Sequence, residues 1–139
     1  PITQYKDLGI KKNTRAIVNA FNKNPAIDIL AHPVTIWYPI EIKTVIREAC
    51  TRGIALELNE ASLKYRKLDK KKVDQFIEQS MVHNGKFVIS SDAHMASEVG
   101  NDETVRNIIA DYGIPERFIL NKNLEDTMAF IAERKKFKQ

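Results

Sequence analysis

Short apolar runs alternate with stretches of helical spacing along this chain, and that alternation narrows the fold more than any other feature. Residues 27–31 (IDILA), 54–58 (IALEL), 87–91 (FVISS) and 118–120 (FIL) are too short for helices. They read as buried strands. Around them, five sets of apolar residues each fall on one stripe of a helix. These are Ile10, Thr14, Ile17, Val18 and Phe21; Ile42, Val45, Ile46 and Ala49; Val73, Phe76, Ile77 and Met81; Val105, Ile108, Ile109 and Tyr112; and Leu124, Met128 and Ile131. The expected order is one helix and then four strand–helix units. Strands alternating with helices imply an α/β class built from parallel βα units.

The punctuation agrees. Asn24-Pro25 ends the first helix, because a residue before proline avoids the α region. Pro39 suits the first turn of the second helix, and Gly53 its left-handed close. Asp69 and Asn123 are caps, as is either Asn101 or Asp102. Asn84-Gly85 and Gly113 are stops. Residues 34–38 and 60–68 read as loops, the first with Trp37 and Tyr38 near its tip. No glycine-rich loop follows a strand, which argues against a dinucleotide or P-loop site.

With 139 residues and no low-complexity linker, a single domain over 1–139 is expected. Apolar residues make up 43% and charged residues 29%, the balance of a soluble globular chain. No stretch is long and apolar enough to span a bilayer. Lysine and arginine outnumber the acids by 22 to 18, for a net charge of +4. That mild excess suits a phosphate-bearing substrate without establishing nucleic-acid binding. The one cysteine, Cys50, excludes an internal disulfide and favours a reducing, cytoplasmic setting. On an apolar helix face it reads as an inert thiol.

Parallel α/β folds place ligands at the C-terminal ends of their strands. Here those ends carry His32, then Glu57 and Asn59, then Asp92 and His94. In an extended chain, residues two apart point the same way. Asp92 and His94 are therefore expected to emerge side by side across Ala93. A carboxylate beside an imidazole is half of a divalent-metal site. Plainer readings exist for each residue. His32 before Pro33 also suits a turn, Asp92 also suits a helix cap, and Asn59 also suits a loop cap. Glu57, if buried, needs a partner, which could be a metal, Arg52 or Lys86. Ser62, Lys64, Tyr65 and Arg66 could grip a phosphate or form a solvated loop. His83, beside Asn84-Gly85, reads as serving a helix end.

The ordered set Asp28-Ile29-Leu30-Ala31-His32-Pro33, Ala55-Leu56-Glu57-Leu58-Asn59 and Ser91-Asp92-Ala93-His94, followed by Gly100-Asn101, resembles the later motifs of the PHP (polymerase and histidinol phosphatase) family. The segment from Gly113 to Asn121 is similar to that family's phosphatase-like branch. The resemblance runs from about residue 15 onward. It implies the C-terminal portion of a distorted (β/α)7 barrel. It also implies up to three divalent metals, zinc, manganese or iron, at the strand ends. His32, Asp92 and His94 match metal ligands, and Asn59 with the loop after it, including Ser62 and Arg66, matches the substrate pocket. The implied activity is phosphoester hydrolysis by a metal-bound hydroxide acting on a small phosphorylated substrate. An alternative is a non-catalytic module supporting a partner such as a polymerase.

The family's opening His-x-His is missing; the chain has three histidines, His32, His83 and His94. The expectation is therefore half a barrel, inactive or nearly so by itself. A missing N-terminal half or a homo-oligomer would complete it, since open strand edges invite pairing.

Overall fold

The computed structural model describes residues 8–65 and 68–136. Six helices surround a three-stranded parallel sheet among these residues. The strands are β1 (Ile29–Leu30), β2 (Ala55–Asn59) and β3 (Phe87–Ser90), in that spatial order. Ile29 pairs with Ala55 on one side of β2, and Leu56 with Phe87 on the other. The helices are α1 (Ile10–Lys23), α2 (Ile42–Thr51), α3 (Glu60–Tyr65), α4 (Lys70–Val82), α5 (Glu103–Asp111) and α6 (Leu124–Lys135). None is long and apolar enough to cross a membrane.

β2 is the central strand, and its Ala55, Leu56 and Leu58 are buried. α2 and α4 cover it with the stripes read from the sequence: Val45, Ile46 and Ala49 from one, Val73, Phe76 and Ile77 from the other. Phe76 meets Phe87 of β3 edge to face, with ring centroids 5.9 Å apart, a favoured aromatic geometry. α4 turns into β3 at Gly85, where a Cβ would lie 2.8 Å from the Cys50 sulfur and 3.1 Å from the Ser80 carbonyl oxygen. Only glycine fits so close an approach. Burial pushes the Cys50 thiol up to about 11, as an inert thiol requires.

Four expectations are corrected. Residues 60–68 were expected as loop, yet Glu60–Tyr65 is helical. Glu60 is buried there, and its two carboxylate oxygens accept the N–H groups of Thr104 and Val105 at 3.2 and 2.9 Å. It thereby caps α5 from outside. Of the two expected caps, Asn101 accepts the Glu103 N–H at 3.5 Å, while Asp102 makes no side-chain cap bond and pairs with Arg106 at 2.7 Å.

Residues 118–120 form no strand. They lie in two 3-10 turns, Glu116–Phe118 and Leu120–Lys122, with one parallel bridge from Ile119 to Phe87. The Asn121 side chain explains this. Its Oδ1 accepts the Ile89 N–H at 2.9 Å and its amide donates to the Ile89 carbonyl at 2.8 Å. A side-chain amide thus satisfies the edge that a fourth strand would have used.

α6 does not bury its apolar stripe. Leu124, Met128 and Ile131 are 76%, 54% and 40% exposed. Arg134 docks the helix instead. Its Nε donates to Asp28 Oδ1 at 3.2 Å, and its other nitrogens donate to the carbonyls of Arg52, Pro25 and Ile27. The fourth correction is that α2 starts at Ile42, three residues past Pro39, with Glu41 at its cap position.

Candidate functional site

The three strand ends converge, and Glu57 is where they meet. It alternates with buried Leu56 and Leu58, so its side chain leaves the opposite face of β2. Its partners are neither Arg52 nor Lys86. Arg52 pairs with Glu48, and Lys86 donates to the Arg117 carbonyl. Glu57 Oε2 instead accepts the His32 backbone N–H at 2.7 Å. Its Oε1 accepts the Ser90 hydroxyl at 2.6 Å and the Asn59 amide at 3.2 Å. One carboxylate therefore ties the ends of β1, β2 and β3. Bonds to a charged acceptor are worth roughly twice those between neutral groups.

The His32 ring lies between acids. Its Nδ1 is 3.8 Å from Glu57 Oε2, and its Nε2 is 3.9 Å from Asp92 Oδ2. Nδ1 also lies 3.0 Å from the hydroxyl of Ser62. Ser62 is buried at 3% exposure, and its N–H donates to Asn59 Oδ1 at 2.7 Å. Asn59 and Ser62, expected to line the substrate pocket, are bonded to Glu57 and His32. Arg66 lies outside the described residues. Lys64 and Tyr65 are exposed, the lysine ammonium 5.4 Å from the Tyr65 ring centroid.

Asp92 and His94 do not leave the strand in extended form. β3 ends at Ser90, and Asp92 has φ 53°, so the chain turns before His94. The alternation rule holds only within extended backbone. His94 is exposed. Its Nδ1 lies 2.8 Å from the Asp92 carbonyl oxygen, and its backbone N–H donates to Glu98. A carbonyl can only accept, so this contact places a proton on His94 Nδ1 and turns Nε2 away from it.

His32 also has a left-handed backbone, with φ 48°. Non-glycine residues in that region gather at functional sites. Two of the three such residues described, His32 and Asp92, face one another here, and the third, Asn84, closes α4.

The donors suit a divalent cation in kind, being an imidazole nitrogen and a carboxylate oxygen. Two ligands on one tetrahedral zinc would stand about 3.4 Å apart at ordinary bond lengths, close to the 3.9 Å between His32 Nε2 and Asp92 Oδ2. They do not suffice in number. Among the described residues, no group of three or more His, Cys, Asp and Glu side chains is arranged to hold an ion.

Comparison with known proteins supplies names but no family assignment. No family model matches the chain. It is 32% identical over 129 residues to a probable phosphatase of Caldanaerobacter subterraneus subsp. tengcongensis, covering 91% of this chain and 50% of that protein. A probable phosphatase of Thermoanaerobacter sp. is 33% identical over 128 residues, covering 91% and 52%. One of Acetivibrio thermocellus is 29% identical over 126 residues, with the same coverage. The chain thus spans about half the length of the curated relatives it matches.

Proposed function

We propose that this chain carries part of the active centre of a metal-dependent phosphoesterase of the PHP kind, with His32, Asp92 and His94 as ligands. The observation that carries the proposal is the convergence of three strand ends on His32, Glu57 and Asp92. The relatives, named as probable phosphatases, add the reaction class. A bound divalent cation would supply an acidified water and polarise a phosphoryl oxygen.

The chain's own residues do the rest. His32 and Asp92 present Nε2 and a carboxylate to one opening. His94, on the turn that Asp92 begins, adds a second Nε2. Glu57, Asn59 and Ser62 hold these groups in place. Lys64, and Arg66 outside the described residues, supply positive charge for the substrate phosphate. The remaining ligands come from chain beyond these 139 residues or from a second copy, and together they complete the barrel. The natural substrate is a small phosphorylated molecule.

The test compares this chain with a version extended to its relatives' length. Zinc or manganese is titrated calorimetrically into each, and each is assayed on an aryl phosphate. The extended protein is expected to bind metal and turn over. The chain alone should bind at least tenfold more weakly, with turnover near background. His32→Ala in the extended protein should lower metal affinity at least tenfold. Unchanged affinity in that variant refutes the ligand assignment, and robust turnover by the chain alone refutes its incompleteness.

A further inference from the structure

His32 is held on its Nδ1 side by Ser62 and Glu57, and this fixes what its other nitrogen can do. A neutral imidazole bears one proton, on Nδ1 or on Nε2, and only the bare nitrogen can bind a cation. We infer that Ser62 and Glu57 are positioning residues that hold His32 in its Nδ1–H form, so that the bare Nε2 faces the opening shared with Asp92. The functional meaning of this inference rests on the proposed metal site; its geometry does not.

Three observations support it. First, Nδ1 has a partner at hydrogen-bond distance, the Ser62 hydroxyl at 3.0 Å, whereas the Asp92 oxygen nearest Nε2 is 3.9 Å away. The serine hydroxyl can donate or accept, so that bond forms with either tautomer; what separates them is that a proton on Nδ1 has an acceptor within reach and a proton on Nε2 has none. Second, the carboxylates on the two sides of the ring are not equal. The Glu57 side chain is 13% exposed and the Asp92 side chain 27%. The drier carboxylate acts through a lower dielectric, so its field draws the proton more strongly toward Nδ1. Third, Ser62 is itself fixed. It is buried in α3, and Asn59 Oδ1 holds its N–H at 2.7 Å. The hydroxyl meets the ring in a set position, as the outer partners of metal-binding histidines do. His94 reaches the same tautomer by another route, through the Asp92 carbonyl.

Long-range proton–nitrogen NMR of the metal-free chain, above the ordinary imidazole titration range, reads the tautomer directly. Variants at His83 and His94 assign the three rings. His32 is expected to be Nδ1–H. Ser62→Ala and Glu57→Gln should each shift His32 toward Nε2–H while His94 stays as it was. Ser62→Thr, which keeps the hydroxyl, should restore the wild-type pattern. Each disrupting variant should also weaken zinc binding by on the order of tenfold. An Nε2–H ring at His32 in the wild type overturns the inference, as does an Nδ1–H ring that survives both substitutions together. Zinc separates the two claims. In the version extended to its relatives' length, His32 and His94 signals that zinc leaves unperturbed would sink the metal reading and leave the tautomer standing.

Discussion

Two polar clusters sit at opposite ends of the same small sheet. At the N-terminal end, Arg134 reaches from α6 to Asp28 and to the carbonyls of Pro25, Ile27 and Arg52, just before β1 and β2. At the C-terminal end, Glu57 gathers His32, Asn59 and Ser90. Both join distant segments through charge-assisted bonds. They differ in what is left over. All three guanidinium nitrogens of Arg134 are engaged in docking the helix, on a side chain that is 4% exposed. Beyond Glu57, by contrast, lie the Asp92 carboxylate and His32 Nε2, which approach only to 3.9 Å. The two residues that carry them have left-handed backbones. A filled polar cluster is architecture. An unfilled one, held by strained residues over a filled base, is where chemistry can happen.

The first way to break this contrast is to empty the filled end. Arg134→Ala removes every bond that docks α6 there and leaves Asp28 and three carbonyls short of a donor. Arg134 is buried but the Asp28 side chain is 33% exposed, so the cost should fall short of a fully buried pair's, at about 2–4 kcal/mol, read by urea unfolding. Arg134→Lys should recover only part, since an ammonium lacks the planar fork. A loss under about 1 kcal/mol would mean that Arg134 does not hold the helix. Glu60→Ala should cost less, about 1–3 kcal/mol, because it leaves two first-turn N–H groups of α5 without their acceptor. A loss no greater than that of an exposed substitution would remove Glu60 from the filled, architectural class.

The same contrast explains what could be read in advance. The strand–helix order through β3 was legible because period and punctuation agree; β2 and β3 fall within one residue of their expected ends, and Asp69 and Asn123 cap as expected. Propensity describes a segment against water and an average core. It failed where one polar side chain reached across the fold. Asn121 took the edge assigned to a fourth strand, Glu60 capped a helix far along the chain, and Arg134 docked α6 while Leu124 and Met128 stayed outside. In the site, the residue types at the strand ends were visible, but Glu57's partners were not, because they depend on register between β2 and its neighbours. The turn at Asp92 left a faint signal. Aspartate is one of the few residues that enter the left-handed region readily.

That turn gives the smallest and sharpest test. Asp92→Asn removes one charge and little else. Asparagine enters the left-handed region as readily as aspartate. The Asp92 carbonyl that receives His94 Nδ1–H is backbone and survives the change. Among the described residues, no hydrogen bond to the Asp92 carboxylate would be lost; its nearest charged neighbour is His32 Nε2 at 3.9 Å, on a ring and a carboxylate both partly exposed. Stability should therefore move by less than about 0.5 kcal/mol. Zinc affinity in the extended protein should still fall at least tenfold, because an amide is a poorer ligand than a carboxylate. The pairing of these two results is the point. A structural aspartate would lose stability along with binding, and a solvated bystander would lose neither. A loss of 2 kcal/mol or so on unfolding would move Asp92 into the same class as Arg134, and the distinction between the two ends of the sheet would fail at the residue meant to define it.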